Sequence, residues 1–196
     1  MGSNSLLKDV VTFGYKTEAV NTAVEHDIPG KTGRRTAIRA FGATSGADAE
    51  DLYFFQAIGA TTLSAVAASG ATAIAITAKA IIGSAAVATA DNIVIKLDNG
   101  AYHFTTLSAM TTSLSVTIAN ALTDSAASGS TVYGIGIYTD SGHIRYTWAA
   151  STSTTKELDG GLMYNADKGY PMMAHLRNAG TDAASIDYIV VEYLDI

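Results

Sequence analysis

The stretch LYFFQAIGATTLSAVAASGATAIAITA, Leu52–Ala78, holds no charged residue; Asp51 closes it on one side and Lys79 on the other. Such a segment folds as a membrane span, as a buried helix or as a run of strands. A spanning helix needs about 20 predominantly apolar residues. The length is there, but Ala, Thr, Ser and Gly fill the segment and Leu, Ile and Val are few. Bilayer spans do not carry so many hydroxyls without stronger apolar partners. A helix would enclose Gly59 and Gly70, each costing about 1 kcal/mol relative to Ala. TAIAIT, Thr72–Thr77, alternates strictly: Thr72, Ile74 and Ile76 on one side, Ala73, Ala75 and Thr77 on the other. That period of two belongs to a strand, and Ser69-Gly70 before it is turn chemistry. The segment reads as strand, turn, strand.

The same pattern extends outward in both directions. Strand-like runs occur at Asp9–Tyr15, Arg35–Ala43, Asp51–Ile58, Asn92–Leu107, Thr112–Ala119, Thr131–Thr139, His143–Ala149, Tyr170–Arg177 and Ser185–Ile196. Within Asn92–Leu107 two alternating halves flank Asn99-Gly100, which predicts a hairpin with a type I′ turn. Thr139–His143, TDSGH, predicts another hairpin turn. Only Ala78–Asn92 competes as helix, and Gly83 with no clear cap limits it to a short turn. Closely spaced strands with Gly, Ser and Asp between them predict an all-β sandwich or barrel.

From Ala60 to Gly134 the only charges are Lys79, Asp91, Lys96, Asp98 and Asp124, while the flanks hold the other charges and most aromatics. This break predicts an inserted Ala/Thr/Ser-rich β subdomain over 59–134, hinged at Gly59 and Gly134. Residues 1–58 and 135–196 would then form the outer β-sandwich with an N-terminal arm. TTLSA occurs at Thr61–Ala65 and again at Thr105–Ala109; internal duplication and chance in a Thr/Ala/Ser-rich chain both account for it.

Composition narrows the function. A length of 196 residues supports one domain, or one with an insert, and 48% hydrophobic content excludes general disorder. A net charge of -6 argues against a nucleic-acid partner. The absence of cysteine removes disulfide and thiol chemistry. MGSNSLLKDVV lacks the pattern of a signal peptide, and Leu6 stands where a myristoylation motif needs Ser or Thr.

No catalytic motif stands out. PGKTGRR, Pro29–Arg35, contains the GKT of a phosphate-binding loop, but Glu25 occupies the place of that motif's first glycine and no helix pattern follows. His26, His103, His143 and His175 form no paired ligand spacing, so no metal is expected. The acids of Gly46–Asp51 and Leu158–Gly169 do not follow a calcium-loop pattern. There is no GxSxG elbow. Lys31, Arg34, Arg35 and Arg39 are the one concentrated positive patch, read either as a contact for an acidic protein surface or as a solvated face. Leu6, Leu7, Val10 and Val11 are apolar anchors in the N-terminal segment, which would either lie across a neighbouring subunit or pack on its own sandwich. Large side chains on both faces of LYFFQ (52–56) and IDYIVVEYLDI (186–196) predict strands buried on two sides, in a core and in a subunit contact.

The block Thr61–Ile135, with its IVI-x-LDNG-x-YH hairpin and its closing AA-x-G-x-TVY, resembles a style common in tailed-bacteriophage virion proteins. The flanks GRRTAIRAFGATSGADAEDLYFFQA (33–57) and PMMAHLRNAGTDAASIDYIVVEYLDI (171–196) are similar to a jelly-roll-type sandwich. The resemblance implies a non-enzymatic protein without cofactor that decorates or cements a capsid. Its partners would be the major capsid protein and copies of itself in a homotrimer, and it would join the virion in the host cytoplasm. A tail-tube or tail-tip component and a carbohydrate-binding or adhesive β-module are the alternatives. No catalytic residue carries over.

Overall fold

A computed structural model describes residues 9–14, 16–18, 23–46, 49–78, 92–110, 114–135, 143–157, 172–177 and 182–195. All regular elements among them are strands: β1 (Asp9–Phe13), β2 (Lys16–Glu18), β3 (Val24–Ile28), β4 (Arg34–Thr44), β5 (Glu50–Thr62), β6 (Ala73–Ala75), β7 (Asn92–Lys96), β8 (Tyr102–Met110), β9 (Ser115–Ile118), β10 (Thr131–Ile135), β11 (His143–Trp148), β12 (Ser153–Glu157), β13 (Met172–Leu176) and β14 (Ala184–Asp195). The chain divides into two compact units, one from residues 1–56 and 144–196 and one from 57–143. β5 contributes residues to both.

The first unit is a jelly-roll-like sandwich. One sheet has the order β1-β14-β4-β12, with β2 also pairing β14. The other has the order β3-β13-β5, with β11 pairing β5. With β1 and β2 taken as one interrupted strand, each sheet has four strands, and first pairs with last in the order that two Greek keys produce. The two inner faces meet through aromatic contacts. Phe41 of β4 lies 5.3 Å from Phe54 of β5 and 5.1 Å from Tyr146 of β11, centroid to centroid. Val191, Ile189, Ile38, Leu52 and Leu176 complete a fully buried core, each worth about 1.5–3 kcal/mol relative to exposure.

β14 is the central strand of its sheet, with β1 and β2 on one side and β4 on the other. Leu52, Tyr53, Phe54, Phe55 and Gln56 are all buried. The two-sided burial expected of this run is met within a single chain, and no subunit contact is needed to explain it.

The second unit is a closed barrel. Its ladder runs β5-β10-β7-β8-β9-β6. The ring returns to β5 through the Leu63–Ile76 bridge, where Ser64 N donates to Ala75 O and Thr77 N donates to Thr62 O, both at 2.9 Å. Among the described strands of this unit, closure leaves no unpaired edge. Leu63, Ile74, Ile76, Ile93, Ile95, Leu107, Val116, Ile118, Leu122 and Val132 fill the inside with aliphatic side chains.

The two connections that cross the barrel end are reciprocal. Ala67-Ala68-Ser69-Gly70 and Ala126-Ala127-Ser128-Gly129 share a sequence, and Ala67 and Ala126 exchange two backbone bonds of 2.9 Å. Gly70 N donates to Leu122 O, and Gly129 N donates to Leu63 O, both at 2.8 Å. Gly70 and Gly129 have φ of +81° and +89°, values a glycine adopts without strain. The two segments thus match in sequence, backbone bonding and glycine conformation. The two TTLSA copies are not equivalent, since Thr61–Ala65 runs off the end of β5 while Thr105–Ala109 lies inside β8.

The Asn99-Gly100 hairpin joins β7 and β8, but not through a type I′ turn. Gly100 has φ +75°, and Ser151 is the only non-glycine with positive φ among the described residues. Gly100 N donates to Leu97 O at 3.1 Å and Leu97 N to Ala101 O at 2.9 Å. This is a type I turn closed by a glycine bulge. Asn99 Oδ1 instead accepts from Ala101 N at 3.0 Å, a side-chain mimic of a backbone turn. Gly59 and Gly134 face each other in the β5–β10 register. The helical turn expected between Ala78 and Asn92 and the hairpin turn expected at 139–143 fall almost wholly outside the described residues.

Candidate protein-contact surfaces

β4 reads RRTAIRAFGAT, and its pairing with β14 assigns each residue to a face. Thr36 opposite Tyr193 and Ile38 opposite Val191 point into the sandwich, all nearly fully buried. Ala37, opposite Glu192, therefore belongs to the outer face, as does Arg35. The register shifts between Val190 and Val191, so Arg39 is the extra residue of a bulge. Arg39 Nε donates to Glu192 Oε2. The Glu192 side chain is 4% exposed and that of Arg39 28%, so the guanidinium covers a carboxylate that has left water.

Val10 stands opposite Glu192 on β1 and is 61% exposed. The Tyr188 ring lies across Gly42, where a Cβ would come 2.6 Å from Tyr188 Cε1. Glycine at 42 is what lets the ring lie down on the sheet. Thr44 Oγ1 donates to Asp187 Oδ2 at 3.1 Å, which ties the far end.

The positive patch read from sequence does not stay together. Lys31 Nζ sits 4.5 Å above the Tyr193 ring. Arg34 N donates to Lys31 O at 3.0 Å across a turn in which Gly33 has φ +75°. GKT is thus a tight link from β3 to β4 and not a phosphate loop. By register Arg34 falls with the inner side of the sheet, Arg35 and Arg39 with the outer. Val11 is half-buried in β1, and Val10 and Val11 both pair with β14 of their own chain. Leu6 and Leu7 lie outside the described residues.

Asp51 organises a second polar group on the β3-β13-β5 sheet. Its carboxylate accepts from Tyr53 Oη at 3.1 Å, from Arg145 Nε at 3.0 Å and from Thr147 Oγ1. Burial, then the Asp51 charge, pushes the Tyr53 phenol up to about 12. His175 is fully buried, with Nδ1 3.6 Å from Glu25 Oε1. Tyr53, His175 and Glu25 stand in one row across three strands. The Asp51 carboxylate thus holds three donors, one of them a phenol kept protonated. His103 is buried, with Nε2 3.1 Å from Asn120 O. Among the described residues no group of three or more His, Cys, Asp or Glu is placed to hold a metal.

The barrel offers a different surface. Ser64, Ala75, Ile76, Thr77, Leu114 and Ser115 line an apolar recess of about 490 Å³. Leu114 is 42% exposed and Val66 70%. Neither was singled out from the sequence. The available signal was a lone large aliphatic residue flanked by small or hydroxyl residues in a charge-free segment.

No family model matches the chain, and no curated protein matches it. Among solved structures it is similar to VP17, a capsid protein of bacteriophage P23-77, at 8% identity and a TM-score of 0.22, covering 95% of this chain and 100% of that one. The VP16–VP17 complex of the two major capsid proteins of the same phage aligns at 8% identity and 0.18, covering 99% and 94%. A structure of infectious bursal disease virus, Gx strain, aligns at 13% identity and 0.13, covering 95% and 41%.

Proposed function

We propose that the protein is a structural component of a bacteriophage virion that decorates or cements the capsid shell through protein–protein contacts. The observation that carries this reading is the strand order β1-β14-β4-β12 over β3-β13-β5-β11. That jelly roll is an architecture of viral capsid, lectin and cupin domains. Fold alone does not choose among them; the surfaces favour the first. The outer sheet face carries Val10, Val190 and Tyr188 over Gly42, and its buried Glu192 carboxylate is paired with Arg39. Such a face suits close packing on another protein. In this reading the shell contact is made by Val10 and Arg35 together with the segment holding Leu6 and Leu7. The partners are the major capsid protein and further copies of the chain in a trimer, assembled in the host cytoplasm.

The test is co-sedimentation with purified phage capsid shells. Val10→Asp combined with Arg35→Glu should release the protein from shells while leaving its thermal unfolding within a few degrees of the parent. Undiminished binding by the double variant moves the contact elsewhere. No binding by the parent protein removes the role itself.

A further inference from the structure

The β1-β14-β4-β12 sheet ends on both sides in strands that pair with no other described strand: β1 at one edge and β12 at the other. Both are exposed. Val10 is 61% exposed, and Ser153, Thr155, Lys156 and Glu157 are also exposed. An unpaired edge presents a row of backbone donors and acceptors ready for another strand. Among the described strands the barrel ladder closes on itself and this sheet does not.

The two edges match each other. β1 is antiparallel to β14, β14 to β4 and β4 to β12, so β1 and β12 run in opposite directions. A β12 laid beside the β1 of another copy therefore continues an antiparallel sheet. Each strand is five residues long. Facing also agrees. Val10, opposite Glu192, is on the outer face, as are Thr155 opposite Gly42 and Ser153 opposite Thr44. Residues directly opposite share a face, so Val10 can meet only Ser153, Thr155 or Glu157.

Val10 against Ser153 engages little of either strand. Val10 against Glu157 sets a carboxylate on a valine and Lys156 on Val11. Val10 against Thr155 puts Thr12 on Ser153, Val11 on Thr154, and brings Asp9 into register with Lys156. That register alone sets an acidic strand position opposite a basic one within the two strands. The side chain of Lys156 is available at this edge, its Nζ 6.0 Å from the centre of the Tyr146 ring.

We propose that copies of this chain join head to tail, β1 of one against β12 of the next, with Val10 opposite Thr155. A repeated head-to-tail contact closes into a ring when its rotation allows. The seam is defined by the two sandwich edges and does not rest on the virion role, so purified protein suffices to test it.

The chain has no cysteine, so a pair can be introduced cleanly. In V10C/T155C the two positions of one copy are three strand spacings apart across the sheet, about 14 Å before their offset along the strands is added, beyond the reach of a disulfide. Mild oxidation should give a ladder of covalent multimers on a non-reducing gel, reversed by reductant. V10C/T154C, with its cysteines on opposite faces, should give none. Light scattering of the parent should return a multiple of the 20.2 kDa chain mass. Lys156→Glu should raise the concentration at which assembly is half complete by about fivefold per seam. A parent that is monomeric at every concentration overturns the proposal. So does an oligomer in which V10C/T155C links no better than V10C/T154C, or whose assembly ignores Lys156→Glu.

Discussion

The sandwich and the barrel solve the same problem with different materials. Both must satisfy the backbone and bury an apolar face. The sandwich packs aromatic rings, Phe41, Phe54 and Tyr146, between two open sheets. It also keeps charge inside its sheet surface, with Glu192 held by Arg39. The barrel has an aliphatic core and closes its ladder on itself. Its ends are tied by backbone bonds between two copies of Ala-Ala-Ser-Gly and by the Asp98 carboxylate, which accepts from Ser125 Oγ and Ala127 N, both at 2.8 Å. An open sheet leaves edges and charges for something else to meet. A closed ring leaves only side chains.

That contrast breaks most visibly at Glu192. Replacing one member of a buried ion pair strands the other, so Arg39→Ala or Glu192→Ala should each cost about 3 kcal/mol. Changing both together, Arg39→Met with Glu192→Leu, should restore most of the loss. Urea unfolding of the three variants checks this; additive losses would mean that the pair is not a unit.

The barrel ends give a smaller effect. Gly70 and Gly129 have open space around a would-be Cβ, so alanine there meets only the positive φ. Gly70→Ala and Gly129→Ala should each cost about 1 kcal/mol, and equally, if the two connections are equivalent. A threefold difference in cost would end the equivalence.

The smallest effect concerns acid. His26 of β3 packs edge-on to Phe13 at 5.1 Å. Burial, and then the charge of Lys16, lower its pKa from 6.5, against a smaller opposing pull from Asp27. The folded state thus favours neutral imidazole. Its contribution is present above the unfolded value of 6.5 and is lost as pH falls through the lowered one. Melting temperature should therefore drop on acidification across that window in the parent and drop less in His26→Gln. Identical slopes would remove His26 as the cause.

Strand content was legible because alternation survives in β4, β7, β8 and β14, and an all-β sandwich or barrel followed from it; the jelly-roll-like class came from the resemblance of the flanks. β2 and β12 were not read. KTE and STTKE are short, polar edge strands with no buried face to impose a pattern. The Asn99-Gly100 hairpin was legible in place but not in type, since Asn99 bonds to Ala101 rather than taking positive φ. The basic cluster looked continuous because sequence proximity ignores strand alternation and the bulge at Arg39. Barrel closure was invisible, because it depends on Leu63 meeting Ile76 around a ring.

The position of β14 sets an order on folding during synthesis. It follows every other described strand, yet it lies between β1 and β4, with Asp9 paired to Tyr193 and Arg34 to Asp195. Until it leaves the ribosome, those early strands have no neighbour along most of their length. The barrel, from 57 to 143, has all its strands long before then. Vectorial synthesis thus lets the insert fold first. The sandwich sheet waits for its last strand, with large sequence separations that make its closure slow.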